Sequence, residues 1–499
     1  MEIPIDGGDS ISESEGGDLD EDGFPWVSFS DEEAIDRTVG DDSERESFAS
    51  EFYRSGTEWS CLIDSKEKKL VQADLFRMWG FKRPSQVQEG SSSRVSSKKM
   101  RRSDGGDRSI GPAKKGSVGG NNRPRICPFY KKIPGTSFTV DAFRYGRIDG
   151  CLAYFLTHFH GDHYGGLNKG WSHGPIYCTP LTARLVKMCL SVNPQYICPL
   201  ELNVEYIIEG IKVTMLEANH CPGAALIHFG LHDGQSYLHT GDFRACKQMQ
   251  SYPILLNKRI DVLYLDTTYC NPKYKFPLRE EVVNFVVKIA RNSLENRPKT
   301  LIVVGAYSIG KEHVYLSISQ ELGVPIYTNA SRRRILQSFG WHELSGKLSS
   351  DGHSTPLHVL PLPHLRHENL KQYLRTQGQS FTSVLAFRPT GWTFSESIGS
   401  QLDRIRPNSN GNVVIYGVPY SEHSSFTELR EFVQFLKPKK IIPTVNVGNA
   451  AHRDQMQSYF RQWKLDAARK EGAHFYHPGP KFVTDRGLNG KIQNGSRKE

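Results

Sequence analysis

The chain has 499 residues, of which 37% are hydrophobic, and it carries a formal net charge of +9. This length allows two or three domains, and the low hydrophobic fraction predicts that part of the chain is unfolded. The sequence contains neither a run of about 18 apolar residues nor a basic-then-apolar leader, so a membrane-spanning helix and secretion are not expected. The nine cysteines occur singly, which predicts reduced thiols in an intracellular protein.

The charge is distributed unevenly along the chain. Residues 1–50 contain 17 Asp and Glu but 2 Lys and Arg, a net −15, so the remaining residues carry +24. Such a surplus favours a surface that binds a polyanion, and nucleic acid is the obvious polyanion. General solubility is the simpler alternative.

Residues 1–125 are predicted to be mostly disordered, as an acidic arm followed by a basic linker rich in Ser and Gly. A short amphipathic helix is predicted within this region at 66–80. Gln72 begins a degenerate match to a sliding-clamp-binding peptide, with Met78 in the first aromatic position. Docking of this helix on the protein's own core is the favoured interpretation. Basic clusters at 98–102 and 114–115 favour import into the nucleus.

The segments after residue 126 are rich in strands at first and alternate strands with helices later. Gly210 and the pair Asp233-Gly234 are turn signals between apolar runs, and they predict two hairpins. The predicted elements, in order, are hairpins at 204–216 and 225–240, strands at 260–265, 300–304 and 413–416, and a surface helix at 451–469. This order indicates an α/β protein.

Residues 157–163 read Thr-His-Phe-His-Gly-Asp-His and directly follow an apolar run at 151–156. A neutral imidazole offers a nitrogen lone pair, and zinc takes nitrogen and oxygen ligands. A polar loop with surface histidines is the alternative, but the full string is far more specific than one His-x-His pair. The candidate ligands in this string are His158, His160, Asp162 and His163.

Further candidate ligands follow later strands. His220 comes after the run at 211–216, and Asp242 comes after the run at 236–240. His423 follows the strand at 413–416 and precedes a helix. His239 lies close to Asp242, but the alternation of side chains along a strand points it elsewhere, so we expect it to be structural.

The order of these residues resembles the metallo-β-lactamase superfamily, in which an early Asp (here Asp141) precedes the histidine string. A second set of motifs resembles the β-CASP nucleases, which insert a cap into that core: 265–269 with Asp266, 305–312, and 420–423. The segments 127–136 and 386–392 are similar to those of the DNA cross-link repair exonucleases, relatives of Artemis and Apollo. The resemblance covers about residues 126–485.

The resemblance implies an αββα metallo-β-lactamase sandwich with an inserted β-CASP cap, preceded by the disordered arm. The implied segments are a first part of the core at 126–269, the cap at 270–408, a return segment of the core at 409–487 and a tail at 488–499.

The resemblance also implies the roles of the site residues. One metal would be held by His158, His160 and His220. The second would be held by Asp162, His163 and His423, with Asp242 bridging the two. Asp141 and Asp266 would orient ligand imidazoles, and Asp162 would also help to orient or deprotonate a water molecule. Zn²⁺ is expected in one or both sites, and Mg²⁺, Mn²⁺ or no ion are the alternatives for the second site.

A pocket for a terminal 5′-phosphate is expected in two loops, where backbone N–H groups, hydroxyls and a cation suit an anion. An exposed surface lysine is the alternative for Lys311. The proposed pocket residues are Ser308, Gly310, Lys311, Ser421 and Ser424. On a strand after His423, RNA-processing relatives carry a histidine where DNA enzymes carry a valine, and alignment places Val445 at this position.

The resulting hypothesis is a nuclear, monomeric, metal-dependent DNA nuclease without a membrane segment. It would act as a 5′-to-3′ exonuclease on 5′-phosphorylated single-stranded, duplex-end or cross-linked DNA in interstrand cross-link repair. The alternatives are an RNA-processing β-CASP nuclease and a largely non-catalytic repair scaffold. A small-molecule hydrolase is disfavoured, since its site would not need a roughly 140-residue cap.

Overall fold

The computed structural model describes residues 126–394 and 401–474. The helix predicted at 66–80, the peptide at Gln72, the basic clusters at 98–102 and 114–115 and the tail at 488–499 lie outside the described residues.

The first sheet has five short strands in sequential order, and all of its pairs except the first are parallel. Because parallel neighbours need crossover connections, helices separate β3 from β4 and β4 from β5. The longer helix begins sharply, with Pro180 in its first turn and the Thr179 hydroxyl accepting the Thr182 N–H. The elements are β1 (Lys132–Ile133), β2 (Phe138–Val140), β3 (Ala153–Phe155), α1 (Gly161–Tyr164), β4 (Ile176–Cys178), α2 (Pro180–Leu190) and β5 (Ile197–Pro199).

The second sheet has six strands and contains both predicted hairpins. Gly210, at φ 76°, makes the turn of the first hairpin in the left-handed region that favours glycine. The elements are β6 (Glu205–Ile208), β7 (Ile211–Glu217), β8 (Ala225–Gly230), β9 (Ser236–His239), α3 (Pro253–Asn257), β10 (Val262–Leu265) and, near the end of the described chain, β18 (Lys440–Pro443). The strand order is β18-β10-β9-β8-β7-β6, and β10 pairs in parallel with both β9 and β18.

The two sheets pack face to face through one apolar cluster. Phe155 of the first sheet and Phe229 of the second meet edge to face, with ring centroids 5.2 Å apart, and Tyr264 belongs to the same cluster. The alternate residues of these strands, such as Leu263, contribute instead to the cluster that contains the helices α2, α9 (Phe426–Leu436) and α10 (Ala450–His474). This is the predicted αββα sandwich, which is confirmed.

The cap is a seven-stranded sheet in the order β13-β12-β14-β11-β15-β17-β16, parallel except for its edge strand β16. One face of the sheet packs on α8, where Leu301 and Val384 meet Leu370. Its strands are β11 (Thr300–Ala306), β12 (Ile326–Tyr327), β13 (Leu348–Ser349), β14 (Leu357–Pro361), β15 (Ser383–Pro389), β16 (Asn408–Asn410) and β17 (Val413–Val418). Its helices are α4 (Arg279–Asn296), α5 (Glu312–Leu322), α6 (Ala330–Gln337), α7 (His342–Ser345) and α8 (His367–Thr376).

The predicted end of the cap at residue 408 is wrong. The strand β17, which we assigned to the returning core, pairs in parallel with β15 from Val384↔Val413 to Pro389↔Val418. The cap sheet therefore continues to Val418, and the core resumes with the loop 419–425 that leads into α9. An apolar run predicts a strand, but it does not tell which of two sheets will accept that strand.

Within the described residues, no helix has the length and apolar character that crossing a bilayer requires.

Candidate metal centre

Side chains from separate loops converge at one end of the sandwich, beside the cap. The histidine string follows β3, His220 lies between β7 and β8, Asp242 follows β9, and His423 lies between β17 and α9. Their potential ligand atoms form three overlapping groups, each within 4.8 Å: His158, His160, His220 and Cys221; His158, His163 and Asp242; and His220, Asp242 and His423.

The first part of the centre is a cluster of three imidazoles. His160 Nδ1 lies 2.9 Å from His158 Nε2 and 3.3 Å from His220 Nε2. Asp242 Oδ2 lies 3.8 Å from His158 Nε2 and 3.9 Å from His220 Nε2. The structure thus brings together the three histidines predicted for one metal, with Asp242 beside them.

The second part of the centre adjoins the first at Asp242, and the His163 ring lies 4.1 Å from the His158 ring between centroids. His163 Nε2 is 3.3 Å from Asp242 Oδ2 and 3.6 Å from Asp162 Oδ2. The Asp162 side chain is 49% exposed, so it faces solvent at the mouth of the site. Asp242 is therefore close to histidines from both predicted sets.

The outer nitrogen of each imidazole is bound by the protein. His160 Nε2 donates to the Ile309 carbonyl oxygen at 3.2 Å, and His220 Nδ1 donates to the Glu422 carbonyl oxygen at 2.9 Å. A carbonyl oxygen only accepts, so these contacts assign the proton to the outer nitrogen and leave the inner nitrogen with its lone pair.

The predicted orienting carboxylates contact the other histidines. Asp141 Oδ2 lies 2.8 Å from His163 Nδ1, and Asp266 Oδ2 lies 2.9 Å from His423 Nδ1. The Thr157 hydroxyl donates its single proton to Asp141 at 2.8 Å. Its oxygen can therefore only accept in its contact with His158 Nδ1 at 3.0 Å, which assigns a proton to that nitrogen. All five histidines therefore present an unprotonated nitrogen to the centre when they are neutral.

The electrostatics differ between the two halves. Burial, together with neighbouring imidazoles, holds the pKa of His158 and His220 well below its usual range, so these rings are neutral. Burial alone would also lower the pKa of His163, but Asp242, Asp162 and Asp141 raise it well above its usual range. The carboxylate-rich half therefore attracts positive charge.

This donor set fits a divalent cation. Lone pairs of neutral imidazoles that face each other at 2.9–3.3 Å repel one another unless a cation or proton lies between them. Imidazole nitrogens with a carboxylate suit zinc and its first-row neighbours. Sequence reasoning missed Cys221, which is buried at 5% exposure and whose sulfur belongs to the first group. Its position next to His220 was the available signal.

The two serines predicted for a phosphate pocket are used inside the protein. The Ser421 hydroxyl donates to the His423 carbonyl oxygen at 2.8 Å, and the Ser424 hydroxyl donates to the Phe243 carbonyl oxygen at 3.0 Å. Both residues are 1% exposed. They shape the loop that carries His423, and their hydroxyls do not face a substrate.

The predicted phosphate-binding turn faces carboxylates. The Gly310 N–H donates to Glu312 Oε1 at 2.7 Å, and the Lys311 N–H donates to Glu422 Oε1 at 2.8 Å. The Lys311 ammonium forms an ion pair with the other oxygen of Glu422 and is buried. The predicted anion pocket is not formed, because the carboxylates of Glu312 and Glu422 accept the hydrogen bonds that a phosphate would need. Lys311 is buried, so the alternative of an exposed surface lysine is wrong as well. Ser308, in the same turn, is half-buried.

Val445 does not lie on a strand, contrary to the prediction. The strand β18 ends at Pro443, and Val445 lies half-buried in the bend that follows. Its backbone N–H donates to the Thr267 hydroxyl at 3.2 Å, and that hydroxyl donates to the Val445 carbonyl oxygen at 2.6 Å. Thr267 directly follows Asp266 in the sequence. Val445 is therefore close to the residue that orients His423.

Two arginines hold the loop of His423, the buried Arg244 and the half-buried Arg279, and sequence reasoning did not find them. Arg244 donates to the Ser421 carbonyl oxygen at 2.9 Å and to Glu428 of α9 at 3.0 Å. Arg279 donates to the Ser421 carbonyl oxygen at 3.1 Å and to the Asn219 carbonyl oxygen at 2.6 Å, next to His220. The loops of the two histidines are thus tied to one another.

The sandwich, the cap and the centre between them define a protein of the metallo-β-lactamase class. A family model described as "DNA repair metallo-beta-lactamase" matches residues 342–449. The chain is 58% identical to the "DNA cross-link repair protein SNM1" of Arabidopsis thaliana over 84% of this chain and 90% of that protein.

Two further relatives extend the comparison. The "DNA cross-link repair 1A protein" of Homo sapiens is 49% identical over an aligned region that covers 70% of this chain and 33% of that protein. The "5' exonuclease Apollo" of Gallus gallus is 35% identical over 63% of each chain. The chain belongs to the metallo-β-lactamase/β-CASP family of DNA cross-link repair proteins.

Proposed function

We propose that the chain is a metal-dependent DNA nuclease that removes nucleotides from 5′-phosphorylated ends, in the 5′-to-3′ direction, during interstrand cross-link repair. The carrying observation is the convergence of five histidines, four of which are grouped with Asp242 and the fifth, His160, with His158 and His220. The similarity to the Arabidopsis cross-link repair protein and to the chicken 5′ exonuclease supports the choice of DNA.

The residues that would hold one Zn²⁺ are His158, His160 and His220, with Asp242 shared between two sites. Asp162, His163 and His423 would hold the second ion. When bound, such cations would acidify a water molecule and neutralise charge on the scissile phosphate.

The chain's own groups supply orientation and a proton acceptor. Asp141 and Asp266 hold the rings of His163 and His423 through their Nδ1 atoms. Asp162 is the exposed carboxylate at the mouth of the site, which supports a role for this carboxylate in orienting a water molecule and accepting its proton.

Features around the centre favour a nucleic acid substrate. An aromatic cluster adjoins the metal site, in which Tyr269 lies 5.9 Å from the His423 ring and 4.9 Å from the Trp392 ring. Tyr269 is buried, whereas Trp392 is half-buried, and a half-buried aromatic face beside a phosphodiester site suits stacking on bases. The net +24 outside residues 1–50 suits the phosphate backbone. Val445, where RNA-processing relatives carry histidine, favours DNA.

The test is a nuclease assay of the purified chain on matched 5′-phosphorylated DNA, 5′-hydroxyl DNA and RNA, with and without chelator. We expect 5′-phosphorylated DNA to be degraded fastest, and Asp162→Ala to lose activity while keeping its fold. Digestion that persists in chelator would refute the metal mechanism. Preference for RNA would replace the proposal by the RNA-processing alternative, and full repair activity of Asp162→Ala in cells would favour the scaffold.

Nuclear location and a monomeric state are part of this proposal, and the basic clusters at 98–102 and 114–115 support the location. Contact with a sliding clamp through Gln72 stays a hypothesis.

A further inference from the structure

The cap turn 309–312, which joins β11 to α5, reaches into the metal centre. Its Ile309 carbonyl oxygen receives the hydrogen bond from His160 Nε2 at 3.2 Å. Ile309 is fully buried, so this carbonyl is shielded from water. A segment of the cap therefore fixes the ring orientation of a histidine that belongs to the core.

The same turn reaches a second histidine through Glu422. The Glu422 main-chain carbonyl receives the His220 Nδ1 hydrogen bond at 2.9 Å, and its carboxylate receives both the N–H and the ammonium of Lys311. The Lys311 and Glu422 side chains are 7% and 6% exposed, so the pair is shielded from water. Lys311 thus holds Glu422, and Glu422 holds His220.

The backbone of the turn is shaped around that carboxylate. Gly310 has φ 97° and Lys311 has φ 71°, and a left-handed conformation is uncommon for a residue with a side chain. A Cβ added to Gly310 would lie 3.0 Å from Glu422 Oε2, closer than neighbouring atoms normally approach. The contact between the turn and Glu422 therefore depends on glycine at position 310.

We propose that the cap turn 309–312 sets the metal affinity of the centre by positioning His160 and His220, with the buried Lys311–Glu422 pair as its connection to the core. The inference rests on the proposed function for the presence of a metal. Lys311 and Glu422 act here as positioning residues, because their polar atoms contact each other and the backbone around the ligands.

The test uses Co²⁺ as the probe, with its affinity measured against a competing chelator and its visible absorption spectrum recorded. Two variants disturb the connection differently. Lys311→Met/Glu422→Gln removes both charges together, which avoids leaving one of them buried and unpaired. Gly310→Ala keeps the pair but forces the turn away from Glu422. We expect each variant to bind Co²⁺ about 10- to 100-fold more weakly, with an altered spectrum.

Each variant has a matched control. Gly323→Ala places a Cβ at φ 66° at the other end of α5, where nothing lies within 4 Å. Lys439→Met/Asp261→Asn removes another ion pair between a lysine and a carboxylate. Asp261 precedes β10, whereas Asp266 of the metal centre follows it, so this pair lies at the end of the strand away from the centre. Both controls should bind Co²⁺ like the unmodified chain, even where thermal stability falls equally.

The outcomes separate this inference from the proposed function. Unchanged affinity and spectrum in both test variants overturn the inference, as does loss of the fold in both, which would make the turn a requirement for folding. Weakened Co²⁺ binding in both variants supports the inference, even where the unmodified chain proves inactive on DNA and the proposed nuclease function fails. An unmodified chain that binds no Co²⁺ overturns both.

Discussion

Each histidine of the centre has one ring nitrogen bound to a protein acceptor and the other directed inward. The acceptors are of three kinds, and that of His158 is the Thr157 hydroxyl. His160 and His220 donate to neutral carbonyl oxygens, whereas His163 and His423 face the carboxylates of Asp141 and Asp266. An anionic partner raises the basicity of an imidazole ligand more than a carbonyl does, so the two halves of the centre are expected to differ in metal affinity.

The first prediction concerns Asp266. Asp266→Asn keeps the size of the side chain but removes the negative charge next to His423 Nδ1. We expect metal affinity to fall about 10- to 100-fold, measured by competition with a chelator. Asp233→Asn, in the exposed hairpin turn between β8 and β9, is the control and should bind metal normally. Equal metal affinities for the two variants would show that the Asp266 charge does not support metal binding.

At the scale of the elements, the centre is built where the loops of the sandwich meet the end of the cap sheet. The His423 loop follows β17 of the cap, but Arg244 and Arg279 connect it to core loops and to the start of α4. Ser421 receives hydrogen bonds from both guanidinium groups at its carbonyl oxygen. This loop is therefore held by long-range hydrogen bonds as well as by its own sequence.

The second prediction concerns Arg244, which is 4% exposed and bonded to Glu428, Ser421 and Pro277. Arg244→Met removes the guanidinium donor from all three acceptors and leaves Ser421 only its bond from Arg279, so we expect a loss of about 3 kcal/mol in the free energy of unfolding, measured with urea. The control is Arg291→Met, which removes an exposed ion pair with Glu321 and should cost less than about 1 kcal/mol. A loss as small as that of the control would show that Arg244 does not hold the loop.

At the scale of the whole molecule, metal binding and folding are coupled. The five histidines come from segments as distant as residues 158 and 423, so the centre forms only in the folded chain. A ligand that binds the folded state alone stabilises it by mass action.

The third prediction is that chelation lowers the thermal midpoint of the purified protein. With free metal at about 100 times its dissociation constant, binding contributes about 2.7 kcal/mol, so we expect a drop of about 3–5 °C in chelator. Differential scanning fluorimetry measures the drop. The Asp242→Asn variant, which lacks the shared carboxylate, should shift much less. Identical midpoints with and without chelator in the unmodified protein would contradict a metal coupled to folding.

The fourth prediction follows from the charge asymmetry. Removal of residues 1–50 deletes a net −15 and leaves +24, so DNA affinity should rise at low salt, and the gain should shrink as salt increases. Fluorescence anisotropy across a salt series measures the effect. A chain in which the acidic residues of 1–50 are replaced by Asn and Gln should behave like the deletion. If that neutralised chain kept the DNA affinity of the unmodified protein, the gain seen in the deletion would have a cause other than charge.

The sequence by itself determined the family, the αββα sandwich with its cap, both hairpins and the residues that converge on the centre. These follow from local patterns. Turn residues at Gly210 and Asp233-Gly234 separate apolar runs, and the ligands follow the strands at recognisable spacings.

Only the tertiary structure decided which donors remain available and where each strand pairs. Lys311 looked like a phosphate-binding cation, but Glu422, 111 residues later, takes both its charge and its N–H. The apolar run of β17 suited either sheet, and pairing with β15 placed it in the cap. The physical reason is the same in both cases. A local pattern states what a residue can do, whereas its partner is chosen by contacts between distant segments, where burial makes an unpaired charge or an unpaired strand costly.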